Sequence, residues 1–487
     1  MNKTRTRFAP SPTGYMHIGN LRTALFEFLI AKHEGGDFLL RIEDTDQERK
    51  VEGAVDVIYK TLKECGLNWD EGPDIGGDFG PYVQSERLPM YKGYAEELIK
   101  LGGAHYCFCS EEEIEAQRKE AESLGISFKF NDPCKHLSAE EVQAKLDAGE
   151  PYVIRQTIKN VGETYFDDEV YGRIEVDGDV LDEQILIKSD GYPTYNFANI
   201  IDDHQMQISH VVRGNEYLSS TPKYNLIYDA YGWQRPTYVH VPPVMKDEHH
   251  KLSKRNGDAS FQDLVAKGYL PDAIMNYIAL LGWAPETEQE IYTLDELIKV
   301  FNIHRISKSP AIFDIDKLTW MNGVYLRNMD EETYYETVRP YLEKAVHGPY
   351  DLKEIAKIIQ PRIDILNQIE ESVDFFDTLV DYDLEMYRHK KMKTNPEVAL
   401  KALKASKATL EQFDNWDSME ALHDCLLALP KELEMKNGQV LWPIRTAVSG
   451  KQFTPGGAIE IAFILGKDET LRRIQVGIDR LSEIVEE

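Results

Sequence analysis

The chain has 487 residues, of which 55 are Lys or Arg and 84 are Asp or Glu, a net charge of −29. At 42% hydrophobic and 10% aromatic it suits several folded globular domains, and no apolar run approaches the length of a membrane span. The acidity argues against tight RNA binding through bulk charge, and five cysteines are too few for a disulfide scaffold. Met1-Asn2-Lys3-Thr4 runs straight into a predicted strand, leaving no room for a signal or transit segment, so a cytoplasmic protein is expected.

Phe8-Ala9 reads as the end of a short strand, because Pro10 and Pro12 cannot continue a ladder. Gly14 permits a turn or a close backbone approach. A helix is expected from near Gly19, with Leu21, Leu25, Phe28 and Leu29 at helical spacing, ended by Gly35-Gly36 and followed by a strand over Phe38–Ile42. Such a strand–helix–strand unit binds ligands at the strand's C-terminal end, where the helix offers free N–H groups to phosphate. His17 stands at that helix entrance, where its plainer alternative is to satisfy loop carbonyls.

Further along, Glu111 to Glu122 reads as a polar helix and Tyr152-Val153-Ile154-Arg155 as a strand. Cys107-Phe108-Cys109 and Cys134-Lys135-His136 lie 24 residues apart, and three thiolates with one imidazole make a closed tetrahedral zinc set. Cys65 and Cys425 have no ligand neighbours and read as inert. Lys251 and Lys254 fall in a polar stretch closed by the turn signal Asn256-Gly257-Asp258, where two ammonium groups can close on a triphosphate or form only a solvated patch. Phe261 to Val265 and Ala273 to Leu281 read as helical. Beyond residue 330 the pattern is helical almost throughout, punctuated by Pro361, Pro396, Pro430 and Pro443. The last helix, Glu469 to Val485, carries Leu471, Ile474, Ile478 and Leu481 on one stripe. Arg388 to Lys393, with Lys401, Lys404 and Lys407, forms a basic island in this acidic chain.

Two strings carry a family resemblance. Pro10-Ser11-Pro12-Thr13-Gly14-Tyr15-Met16-His17-Ile18-Gly19-Asn20 and Lys251-Leu252-Ser253-Lys254-Arg255 resemble the HIGH and KMSKS signatures of class I aminoacyl-tRNA synthetases. The flanks Arg7-Phe8-Ala9 and Arg41-Ile42-Glu43-Asp44-Thr45-Asp46 narrow the resemblance to the glutamyl branch, and the helical pattern beyond residue 330 resembles its bacterial members. Asn20 stands where HIGH ends in His, and Arg255 where KMSKS ends in Ser.

The resemblance implies an α/β split Rossmann-type nucleotide-binding catalytic domain, 1–88 and 195–250. Between its halves it implies an α+β acceptor-end-binding insertion with the zinc site, 89–194. It further implies a lysine loop with a stem-contact helical region, 251–330, and an all-α anticodon-binding region, 331–487. The implied activity is glutamate–tRNA ligation: L-glutamate is activated by ATP with Mg²⁺ and transferred to the 3′ end of tRNA(Glu). By the same resemblance His17, Lys251 and Lys254 are catalytic, and His17, Gly19, Glu216 and Lys254 bind ATP. Arg7, Ser11, Glu43, Tyr195, Asn199 and Arg213 hold glutamate, with Arg213 on its side-chain carboxylate and Glu43 on its ammonium. Cys107, Cys109, Cys134 and His136 hold one structural Zn²⁺. A monomer is the family-level expectation. Charging of tRNA(Gln) as well, and a non-catalytic RNA-binding relative, stay open as alternatives.

Overall fold

The computed structural model describes residues 3–45, 51–159, 162–252 and 260–485. The chain divides into two compact units, Met1–Val265 with Pro271–Asp314, and Ala266–Leu270 with Ile315–Glu487, so the stretch 251–330 contributes to both.

In the first unit β1 (Arg5–Phe8) leads through a proline-rich loop to α1 (Ile18–His33) and back to β2 (Asp37–Leu40), parallel to β1. Gly14, at φ +108°, supplies the one positive-φ turn in that loop, a conformation costly for any residue with a Cβ. α1 is buried on nearly every side, including Arg22 and Glu27, so it is a central helix rather than the surface stripe its Leu21, Leu25, Phe28 and Leu29 spacing describes.

α2 (Ala54–Glu64) and α3 (Leu88–Lys100) precede β3 (Ala104–Cys107), α4 (Glu111–Ser123), α5 (Ala139–Asp147) and β4 (Val153–Gln156). β5 (Glu163–Asp168) and β6 (Gly172–Asp177) form an antiparallel pair, and β7 (Ile185–Ile187) completes an antiparallel sheet in the order β3-β4-β7. α6 (Tyr195–Gln205), β8 (His210–Gly214), α7 (Thr221–Tyr231) and β9 (Thr237–Val241) follow. β8 and β9 are parallel and extend the β5–β6 pair into a sheet in the order β6-β5-β9-β8. One apolar core, including Tyr91, Ile154, Leu186, Phe197 and Tyr228, joins α3 and the β3-β4-β7 sheet to α6 and α7.

The two parallel pairs meet edge to edge. The Ser209 N–H donates to the Arg5 carbonyl at 2.9 Å, and the Arg5 N–H to Ser209 Oγ at 2.8 Å. β1 and β8 therefore start side by side, and their ends, Phe8 and Gly214, line one cavity. That is the arrangement in which a parallel sheet leaves a ligand crevice at its carboxyl rim. β10 (Val244–Met245), α8 (Phe261–Ala266), α9 (Pro271–Ala279), α10 (Leu294–Val300) and β11 (Ala311–Ile312) follow, with β10 and β11 parallel.

The second unit is helical among its described residues: α11 (Ile315–Asn328), α12 (Glu331–Ala345), α13 (Leu352–Ile359), α14 (Ile369–Val373), α15 (Pro396–Glu411), α16 (Met419–Glu432), α17 (Asn437–Ser449) and α18 (Ala458–Val485). Pro396 opens α15, as a residue with no N–H to leave unpaired does well. Pro430 and Pro443 do not punctuate; they lie inside α16 and α17, where buried Leu426 and Leu429, and Val440, Ile444 and Ala447, hold the helices together. α18 begins earlier than Glu469 and changes course at Gly466 (φ 76°, ψ 174°). Ile474, Ile478 and Leu481 are buried as the stripe requires. No helix among the described residues is long and apolar enough to cross a membrane.

Candidate active site and metal centre

The cavity at the shared rim of β1 and β8 measures about 260 Å³ and is lined by Arg7, Ser11, Glu43, Tyr195, Arg213 and Glu216, among others. A larger hollow, about 740 Å³, lies among His33, His210, Lys299 and His304, and none of the expected site residues lines it.

Beneath the smaller cavity is a buried ionic network. Asp203 grips Arg7 at two points, Nε to Oδ1 at 2.9 Å and Nη2 to Oδ2 at 3.0 Å. Arg41 Nη1 donates to the same Oδ1 at 2.8 Å, and its Nη2 reaches Glu43 Oε1 at 2.9 Å. Arg7 Nη1 also meets Glu27 Oε1 at 3.3 Å, while Glu27 Oε2 has no hydrogen-bond partner among the described residues. Burial works to raise the Asp203 carboxyl, but Arg7 and Arg41 outweigh it and hold it below the usual carboxylate range. For Glu27 and Glu43 burial prevails, and both are raised.

Arg213 is different. It is 7% exposed, yet among the described residues no carboxylate lies within ion-pair distance of it. Its Nε donates to His240 Nε2 at 3.1 Å and its Nη2 to Thr221 Oγ1 at 2.7 Å. The rings of Tyr217, Tyr224 and Tyr238 surround the guanidinium at 5.2, 4.8 and 5.4 Å. A buried cation is costly unless something supplies the opposite charge, and here the open direction is the cavity. Asn199 does not line the cavity, but it is buried.

His17 caps α1. Its Nδ1 accepts from the Gly19 N–H at 3.0 Å, which leaves Nε2 to donate to the Leu252 carbonyl at 3.0 Å. His17 also bridges to Ser260, while Lys251 pairs across to Met245. The first string therefore touches the second at Leu252 and meets its downstream flank at Ser260. Lys254 and Arg255 lie outside the described residues.

Residues 3–320 match the family described as tRNA synthetases class I (E and Q), catalytic domain, and 333–478 match the anticodon binding domain. A glutamate–tRNA ligase of Clostridium tetani is 60% identical over 480 residues, covering 99% of this chain and 98% of the relative. The chain belongs to the glutamate–tRNA ligase family of class I tRNA synthetases. A glutamate–tRNA ligase of Clostridium acetobutylicum is 58% identical, with 99% of each chain covered. The crystal structure of a glutamate tRNA ligase from Elizabethkingia meningosepticum, in complex with its amino acid, superposes with TM-score 0.90 at 34% identity, covering 99% of this chain and 100% of that one.

Within this family member the cysteines converge. Cys107, Cys109, Cys134 and Asp132 each offer a ligand atom, all within 4.8 Å of one another. Cys109 and Cys134 Sγ are 3.7 Å apart, close to the ~3.8 Å that tetrahedral Zn–S bonds of about 2.3 Å require. His136, expected as the fourth ligand, is exposed and not brought into this set; Asp132, two residues before Cys134, is. Asp132 also accepts from the Cys134 N–H at 2.9 Å and pairs with His105 Nε2 at 2.9 Å. Burial pushes the Cys107 thiol up to about 11. Burial also raises the Cys65 thiol.

The basic island projects from the second unit. His389 and Thr394 pair across a turn that leaves Lys390, Lys391 and Lys393 exposed, backed by Trp442, whose ring lies 4.0 Å from that of His389 and 4.1 Å from the Arg445 guanidinium. Asp203, His240, Asp168 and Asp132 are residues of these networks that sequence reading missed. Of these only Asp132 had a local signal, its place in the turn Asn131-Asp132-Pro133 before a cysteine.

Proposed function

We propose that this chain activates L-glutamate with ATP and transfers it to the 3′ end of tRNA(Glu), in a nucleotide-binding fold split by the 89–194 insertion. The observation that supports it best is Arg213: a buried guanidinium that meets no carboxylate among the described residues, turned to a cavity whose wall also carries Glu43. The substrate's side-chain carboxylate supplies the missing charge. Glu43 receives the ammonium group, and Tyr195, Ser11 and Asn199 add hydrogen bonds. Arg7, already held by Asp203 and Glu27, acts mainly as a wall.

The glutamate α-carboxylate oxygen attacks the α-phosphorus of ATP and pyrophosphate leaves, giving the adenylate. The terminal ribose hydroxyl of the tRNA then attacks the acyl carbon and AMP leaves. Lys251 and Lys254, with His17, Gly19 and Glu216 around the nucleotide, orient and neutralise the phosphates as charge shifts. Mg²⁺ would add charge neutralisation on the triphosphate. We propose one structural Zn²⁺ on Cys107, Cys109 and Cys134, with Asp132 as the fourth donor in place of His136. The cytoplasm is the proposed location.

ATP–pyrophosphate exchange is the test. Glutamate should support exchange and glutamine should not. Arg213→Gln should raise the KM for glutamate at least tenfold and narrow the gap between the two amino acids; an unchanged preference places the discriminating contact elsewhere.

A further inference from the structure

Behind Arg213 runs a second line of buried groups. Asp168, at the end of β5, accepts the Val170 and Tyr171 N–H groups on Oδ1, at 3.0 and 2.8 Å. Its Oδ2 faces His240 on the neighbouring strand β9, taking the backbone N–H at 3.1 Å and ring Nδ1 at 2.6 Å. The far nitrogen of that ring, Nε2, meets Arg213 Nε at 3.1 Å. His240 is 0% exposed and Asp168 4%, so no water competes for these bonds.

The chemistry of the three groups sets the direction of every proton. A guanidinium only donates, so His240 Nε2 must accept, and the ring proton must sit on Nδ1, where the Asp168 carboxylate takes it. A doubly protonated ring would set an N–H against the Arg213 N–H. Burial lowers the His240 pKa, against the pull of Asp168, and favours the neutral ring. Thr221 works alongside: its Oγ accepts from Arg213 Nη2 and donates to the Tyr217 carbonyl at 2.8 Å. Two acceptors without formal charge thus aim the guanidinium while leaving its positive charge for the cavity. Had a carboxylate stood in the place of His240, as Asp203 stands against Arg7, the charge would be spent inside the protein.

We propose that His240, held in one tautomer by Asp168, is a positioning residue that aims Arg213 at the substrate's side-chain carboxylate and so sets amino-acid affinity and selectivity. This rests on the reading of Arg213 given above. Two isosteric fragments of histidine separate its two bonds. His240→Asn places an amide near Nδ1 and keeps the Asp168 contact while losing Arg213. His240→Gln reaches the Nε2 position with an oxygen that accepts from Arg213.

In ATP–pyrophosphate exchange, His240→Asn should raise the KM for glutamate about tenfold, leave the KM for ATP within twofold, and reduce the preference for glutamate over glutamine. His240→Gln should restore most of that loss. Asp168→Asn, which presents an N–H to the ring and favours the wrong tautomer, should behave like His240→Asn. Equal losses in the two His240 variants, with equal drops in melting temperature, would mark a packing role and overturn the assignment. So would a KM for glutamate unchanged in His240→Asn when Arg213→Gln raises it. If Arg213→Gln itself leaves that KM unchanged, the underlying reading of Arg213 fails instead.

Discussion

Asp203→Asn isolates the buried network beneath the cavity. One carboxylate there takes three hydrogen bonds of 2.8 to 3.0 Å from two guanidinium groups, all within a region nearly closed to water. The amide keeps the shape, loses the charge and turns one acceptor into a donor facing an arginine. Removing one partner of a buried ion pair costs about 3–5 kcal/mol. At about 2 °C per kcal/mol for a large domain, the first unit should melt about 6–10 °C lower. The pH dependence gives a second signature. Because the folded Asp203 pKa is depressed, its stabilisation is present above the unfolded value, about 3.9, and is lost as pH falls through the lower folded value. The parent should therefore lose stability below about pH 4 more steeply than Asp203→Asn does. Thermal melts of both proteins between pH 2.5 and 7, followed by calorimetry, make the comparison. A variant melting within 1 °C of the parent at neutral pH, with a parallel acid limb, would refute the view that Asp203 is the keystone of this network.

Lys254→Ala should lower the adenylation rate about 10²–10³-fold with little change in the KM for glutamate, as loss of one transition-state donor does; near-normal exchange rates remove the lysine loop from the mechanism. Cys134→Ser should release zinc, lower the melting temperature and impair transfer to tRNA more than pyrophosphate exchange; elemental analysis of the parent, purified with its thiols reduced, must find about one zinc per chain. Replacing Lys390 and Lys391 together by Ala should weaken tRNA binding and lower the slope of log affinity against log salt by up to about 2, leaving exchange intact; an unchanged slope takes these lysines off the RNA.

What the sequence discloses here is what lies close along the chain. The prolines after Phe8, the helical spacing through α1 and the paired cysteines at the end of β3 each signal within a few residues, and each emerges in place. The site's electrostatics do not work that way. Nothing near Arg7 in the chain signals Asp203, 196 residues away, which grips its guanidinium. His240 sits in Val239-His240-Val241, an ordinary strand, and only the fold brings Asp168 and Arg213 to its two nitrogens. His136 completes a pair that mirrors Cys107-Phe108-Cys109, yet the chain's course through Asp132-Pro133-Cys134 brings a carboxylate to the thiols instead. Pro430 and Pro443 mislead for the same reason: buried contacts from other helices outweigh a local breaker.

The edge-to-edge meeting of β1 and β8 also has a kinetic side. β1 pairs with β2 early, but its other edge cannot meet β8 until more than 200 further residues have been made, and closing such a loop early is entropically costly. During synthesis the edge of β1 stands unpaired, with Arg7 and Arg41 still lacking Asp203. An open strand edge of this kind is where nascent chains associate wrongly. A chaperone that shields this edge until β8 emerges is what the topology asks of any host that makes the protein.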